Sequence, residues 1–200
     1  MEPLHNTLNK FASLYAKSGF LLFLLRLPIR SFKVLRNQAN TLYWRFFIGK
    51  VGKDLFIEYG VSIGNPKKIT IGDNVYIGSG TQFGSETLDG TLVLHNNTHI
   101  GRNCSIDHSG EVILKENVLL SEGVKIFSHS HGYNPRSKPT SEKLVICENS
   151  WIGNDAMILE KAKFIASGVI VGAGSLVTKS CVKKNSIYAG APALFKKYIP

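Results

Sequence analysis

Two hundred residues with 44 % hydrophobic content and a formal charge of +10 fit one folded domain with an appendage and exclude a disordered chain. The charge is uneven: residues 1–53 hold nine Lys/Arg against the single acid Glu2, and residues 54–200 hold fifteen against thirteen. So neutral a body argues against nucleic-acid binding. Cys104, Cys147 and Cys181 show no C-x-x-C spacing and read as reduced, buried thiols, not as a disulfide framework or a thiolate zinc site.

Residues 1–53 are predicted to form a basic amphipathic helical segment that Pro28 divides into two pieces. Apolar residues recur at mixed three and four spacing, with Lys17, Arg26, Arg30, Lys33, Arg36 and Arg45 among them. Two compatible readings stand for this segment. It lies on an anionic membrane surface, where each cation contributes on the order of 1 kcal/mol, or it caps the block that follows. The run Phe20–Leu25 stops at Arg26, short of the roughly 18–20 residues a bilayer span needs. With no early basic region or small-residue cleavage site, the expected location is cytoplasmic, peripheral to the membrane at most.

From about residue 54 to 187 an aliphatic residue returns every sixth position. Ile71, Ile77 and Phe83 begin the series, followed by Leu94, Ile100 and Ile106; Leu114, Leu120 and Ile126; and Ile146, Ile152 and Ile158. After a one-residue slip come Ile165, Val171 and Val177. A period of six is wrong for a helix. It suits short strands separated by turns, three to a triangular coil of about 18 residues, with about seven coils stacked into a solenoid. Glycines in "IGDN", "IGRN" and "IGND" mark corners that need positive φ or close approach.

The count breaks near 84–92, 107–112, 130–145 and 163–165. Loops of a solenoid gather on one face, where binding groups sit. The shorter breaks, "SETLDG" and 163–165, are read as tolerated insertions, while residues 132–143 form an excursion that leaves the solenoid beside "SHSH".

The repeats, "SHSHGY" before the excursion, "SWIGNDAMIL", "VIVGAGSLVTKS" and the ending "YAGAPALFKKYI" together resemble the hexapeptide-repeat acyltransferases, nearest to bacterial polysaccharide and sugar O-acetyltransferases. The resemblance covers about three quarters of the chain. It implies an all-β, left-handed parallel β-helix over 54–187 with a C-terminal tail over 188–200, a homotrimer, acetyl-CoA as co-substrate without a metal, and a saccharide acceptor.

Acetyl transfer from a thioester to a hydroxyl needs a base for the hydroxyl proton, and a donor where the carbonyl oxygen becomes negative. Histidine, with an ordinary pKa of about 6.5, suits the first task. Aligned on the family pattern, His131 is the expected base. His129 either orients the acceptor or the base, or is a surface residue at the foot of the loop. Asp107 falls where the family has an acceptor-side Asn. It is expected to bind a sugar hydroxyl, to orient His131 from a neighbouring subunit, or only to make a turn. His108 is a further candidate for acceptor contact. The resemblance carries CoA contacts onto Trp151, Asn154, Ala173, Thr178, Lys179 and Lys197. For the lysines the alternative is a solvated basic surface, and for Trp151 a packing role. Leu194 replaces an expected Arg, and Lys196 is the candidate to substitute for it.

Two other functions remain open at this level. One is a zinc enzyme like the γ-class carbonic anhydrases, suggested by His95 and His131 at a nominal two-coil separation. The other is an acetyltransferase for a non-sugar small molecule.

Overall fold

A computed structural model describes residues 28–200; the first piece of the expected N-terminal helical segment lies outside them. The six-residue period folds into a parallel β-helix of about seven coils. Its first sheet stacks Lys50–Val51, Ile69–Ile71, Thr91–Leu94, Glu111–Leu114, Leu144–Ile146 and Phe164–Ile165. The second stacks Phe56–Ile57, Tyr76–Ile77, His99–Ile100, Leu119–Leu120, Trp151–Ile152, Ile170–Val171 and Ser186–Ala189. The third stacks Ser62–Ile63, Gln82–Gly84, Ser105–Asp107, Lys125–Ile126, Met157–Ile158 and Leu176–Val177. A last strand, Leu194–Tyr198, folds back antiparallel onto Ser186–Ala189.

The predicted aliphatic positions form the interior. Ile77, Ile100, Leu120 and Ile152 stack in the second sheet and Ile106, Ile126 and Ile158 in the third, all with no exposed surface. Each such side chain contributes about 1.5–3 kcal/mol on burial. The corners divide the labour that the sequence assigned to glycine alone. Gly101 serves close approach, since a Cβ there would stand 2.7 Å from the Glu122 nitrogen. The left-handed conformation falls two residues later, on Asn74, Asn103 and Asp155, with φ of 55°, 56° and 56°.

Residues 28–47 are helical and close the first coil. The contact is polar: Thr41 Oγ1 donates to the Ile57 carbonyl at 3.1 Å and accepts from the Ile57 nitrogen at 2.9 Å. Asn40 Nδ2 donates to the Glu58 carbonyl, and Asn37 Oδ1 accepts from the Tyr59 nitrogen. These bonds satisfy the first strand of the second sheet, an otherwise open edge. Ile29, Phe32, Leu35, Leu42 and Phe46 of the helix are exposed.

Candidate active site

All four breaks in the six-residue count lie on one edge of the prism, between the third sheet and the first. There the segments 85–90, 108–110 and 127–143 leave successive coils and meet. The excursion is closed at its base by antiparallel pairing of His129–Ser130 with Thr140–Ser141, so both histidines start from a fixed hairpin.

Asp107, at the outer end of its strand, is nearly enclosed by its own chain. Its Oδ1 accepts from Ser128 Oγ at 2.9 Å and its Oδ2 from Ser109 Oγ at 2.8 Å. His129 Nδ1 stands 2.8 Å from Oδ1, at ion-pair distance but without a well-formed hydrogen bond. Burial opposes ionisation of Asp107, yet the contacts from His129, Ser109 and Ser128 outweigh it and hold the carboxyl below its ordinary range. Asp107 therefore addresses His129 of the same chain, where the sequence reading had it meeting a sugar hydroxyl, orienting a neighbour's His131 or making a turn.

His131 is held by the excursion itself. Its Nδ1 lies 2.8 Å from the Ser137 carbonyl, an acceptor only, so this nitrogen carries a proton. Ser137 Oγ donates in return to the His131 carbonyl at 2.7 Å. His131 Nε2 faces Glu86 Oε2 at 3.0 Å, and His129 Nε2 faces Glu86 Oε1 at 3.5 Å. The Ser137 carbonyl, seconded by Glu86, raises the pKa of His131. The two imidazoles stand edge to face, 5.3 Å between centroids. A cleft of about 310 Å³ opens beside them on the outer face of the third sheet, bordered by Gln82, Ser85, Glu86, Asp107, Phe127 and His129.

No family model matches the chain. WbbJ of Escherichia coli K12, which carries the name of a lipopolysaccharide biosynthesis O-acetyl transferase, is 29% identical over 71% of this chain and 78% of its own length. The galactoside O-acetyltransferase of Lactococcus lactis is 27% identical over 52% of this chain and 54% of its own. Among solved structures, a point mutant of AntD, an N-acyltransferase from Bacillus cereus, in complex with dTDP and coenzyme A superposes with a TM-score of 0.70 at 22% identity over 80% of this chain and 89% of that one. The hexapeptide-repeat acetyltransferase VCA0836 from Vibrio cholerae gives 0.57 at 18% identity, covering 92% of this chain and 95% of its own. The fold is the β-helix of the hexapeptide-repeat acetyltransferase from Vibrio cholerae, and the sequence is similar to proteins named as sugar O-acetyltransferases.

The residues that the resemblance marks for CoA fall mainly on both edges of the third sheet. Asp107, Phe127, Leu159 and Thr178 share one column, because their strands are in register through Ile106, Ile126, Ile158 and Val177. Three strand spacings put Thr178 about 14 Å from Asp107. Lys179 follows it, beside a cleft of about 250 Å³ under the tail that Thr178, Tyr188, Ala193 and Phe195 also border. Lys197 sits on the tail strand opposite Ile187. Asn154 and Ala173 occupy the other edge in adjacent coils, where the Asn154 carbonyl accepts from the Gly174 nitrogen at 2.7 Å. Trp151 looks outward from the second sheet, half exposed, its Nε1 donating to Ser121 Oγ at 2.8 Å. One chain does not gather these groups on a single surface.

His108 departs from its expected role. It has no exposed surface and both ring nitrogens lack a partner, so it faces the interior and meets no acceptor. Alternation from the inward Ile106 places it there. His95, on the edge between the first and second sheets, pairs with Glu116 at 2.9 Å and does not join His131. Glu86 is the residue that the sequence reading passed over, because its break was taken as an insertion.

Proposed function

We propose that the protein is an acetyl-CoA-dependent O-acetyltransferase that acetylates a hydroxyl of a saccharide, such as a polysaccharide or lipopolysaccharide precursor, with His131 as general base. The similarity to WbbJ and to the galactoside O-acetyltransferase of Lactococcus lactis supports the reaction class. The observation that carries the residue assignment is the Ser137 carbonyl on His131 Nδ1, which fixes the tautomer and turns Nε2 toward the junction of the three loops.

In this reading the acceptor hydroxyl takes the place of Glu86 at His131 Nε2. The imidazole removes the hydroxyl proton as the oxygen attacks the thioester carbonyl, and a backbone N–H receives the negative charge of the tetrahedral intermediate. Collapse breaks the carbon–sulfur bond, and the imidazolium returns its proton to the CoA thiolate. The acetyl ester and free CoA leave.

The division of labour follows: residues 54–187 carry the transferase, 132–143 cover the acceptor, and 188–200 complete the CoA groove. A homotrimer would bring Thr178 and Lys179 of one chain against Trp151, Asn154 and Ala173 of its neighbour, which their separation on two edges favours. Residues 1–50 supply a peripheral contact with an anionic membrane. Phe32, Leu35, Leu42 and Phe46 are exposed beside Lys33, Arg36 and Arg45, and no helix among the described residues is long and apolar enough to cross a membrane.

The test is CoA release by the purified full chain from acetyl-CoA with nucleotide-linked or lipid-linked sugars. His131→Ala is expected to lower kcat/KM at least a hundredfold, about 2.7 kcal/mol, with an unchanged circular dichroism spectrum; turnover like that of the wild type discards His131. The Asp107 contact favours a second reading with His129 as base. That reading predicts the hundredfold loss in His129→Ala and little loss in His131→Ala.

A further inference from the structure

Glu86, His129 and His131 present one ligand atom each, all within 4.8 Å of one another. Two carboxylate-to-imidazole distances, 3.0 Å for His131 Nε2 and 3.5 Å for His129 Nε2, bracket the edge of about 3.3 Å that a tetrahedral zinc with bonds near 2.0–2.1 Å requires. A second observation concerns the far side of each ring. A ligating histidine almost always gives its other ring nitrogen to a carboxylate or a backbone carbonyl, which fixes the tautomer and aims the ring. Here Asp107 stands at 2.8 Å from His129 Nδ1 and the Ser137 carbonyl at 2.8 Å from His131 Nδ1. His131 is thus anchored through Nδ1 and His129 turns Nδ1 to the Asp107 carboxylate, so both imidazoles are free to ligate through Nε2. The two oxygens come from separate segments, one from a strand end and the other from the excursion.

We propose that Glu86, His129 and His131 form a binding site for a divalent transition metal of the zinc class, with a fourth position open to solvent beside the cleft. Two imidazoles and one carboxylate suit zinc or cobalt better than magnesium or calcium, which prefer sets of oxygen ligands. The site has a chemical consequence that rests on the function proposed above. The metal takes the lone pair of His131 Nε2 that the base requires, so it acts on acetyl transfer as an inhibitor and not as a cofactor. In the other direction, an acceptor seated at Nε2 and the metal exclude each other.

The experiment reads binding first, without acetyl-CoA or acceptor. Tag-free full-length protein, stripped with chelator, is titrated with Co²⁺ and then Zn²⁺. The expected result is one Co²⁺ per chain, with the visible absorption of four-coordinate cobalt, displaced by one Zn²⁺. Glu86→Gln and His131→Gln should each weaken binding at least tenfold. Asp107→Asn, which touches only the far side of His129, should weaken it by about 10- to 100-fold. Thermal melting of each variant confirms that it is folded. Absence of stoichiometric cobalt binding overturns the proposal, as does wild-type affinity in folded Glu86→Gln and His131→Gln, which would place the metal elsewhere. Loss of transfer should track zinc occupancy. Full activity at full occupancy would instead discard His131 as the base while leaving the metal site standing.

Discussion

Along the edge between the second and third sheets, the connections 58–61, 78–81, 101–104, 121–124, 153–156 and 172–175 all have one length. Along the edge between the third and first, the connections 64–68, 85–90, 108–110, 127–143 and 159–163 change length from coil to coil. Both edges join the same kind of strands around the same interior. The constant edge must return the chain in register, because its corners stack directly on one another, as Gly101 does on Ser121 and Glu122. The variable edge is free to lengthen because the ladder fixes both ends of a loop. The Glu142 nitrogen donates to the Ser128 carbonyl at 2.8 Å across the foot of the longest one. Closing a longer loop costs little more than closing a short one. Every group around the proposed base, Glu86, Asp107, His129 and His131, hangs from the variable edge, so substitutions there and at the constant-edge corners away from Asn154 and Ala173 should separate activity from stability.

The largest effect is expected in the interior that both edges share. Ile100→Ala empties a position with no exposed surface and should cost about 2–5 kcal/mol in urea unfolding. Transfer by the fraction that remains folded should be unchanged. A loss below about 1 kcal/mol would mean that the coils can collapse onto a cavity, contrary to a register fixed by neighbours above and below.

Asp107→Asn comes next and acts in the opposite sense. It keeps the size of the side chain but removes the charge that faces His129, Ser109 and Ser128. Asp107 touches no acceptor in the proposed mechanism and acts by positioning. Transfer should therefore fall by about tenfold to a hundredfold in kcat, with the KM for acetyl-CoA unmoved. A change confined to KM, or to melting temperature, would reduce Asp107 to a turn residue.

On the constant edge, Asn103 adopts φ of 56°, where a Cβ without a compensating side chain costs about 1–2 kcal/mol. Asn103→Ala should destabilise by that amount, and Asn103→Gly by clearly less, measured from urea midpoints. Equal losses in the two variants would assign the position to side-chain contacts instead of to backbone conformation.

These residues also show what the sequence could carry. The inward column was legible because a six-residue period leaves one way to place the aliphatics, and each was found buried. The site was legible only where a break was long or a motif familiar. His131 was proposed from its motif, whereas its neighbour Glu86, 45 positions away, was hidden because the contact depends on two loops that leave coils two apart on one edge, with the short connection 108–110 between them. His108 was misjudged by proximity to Asp107, although the pleat turns neighbours to opposite faces. In the helix 28–47 the apolar spacing signalled amphipathicity but not its direction: Asn37, Asn40 and Thr41 face the solenoid and the large apolar residues face out. Direction there depends on an open strand edge that needs hydrogen-bond partners, which no property of the helix itself records.

The smallest effect tests the carboxylate on the constant edge. Glu58 is 6 % exposed and forms a forked pair with Arg102, Oε2 to Nε at 3.0 Å and Oε1 to Nη2 at 3.1 Å, while the Ser79 nitrogen donates to Oε2 at 3.0 Å. The Arg102 bond, against the opposing cost of burial, lowers the Glu58 pKa from 4.5 to about 2. A depressed carboxyl stabilises the fold above its unfolded pKa and loses that contribution as pH falls toward its folded one. The window therefore runs from about pH 4.5 down to about 2. Arg102 is half exposed, so solvent screens the pair and its contribution is on the order of 1 kcal/mol. Glu58→Gln should accordingly be less stable than the wild type at pH 7, and the gap in urea unfolding should narrow steadily from pH 4.5 to 2.5. Transfer at neutral pH should not change, since the pair lies across the third sheet from His131. A gap that stays constant with pH would assign the loss to packing, and a loss of transfer in a folded variant would tie the two edges together.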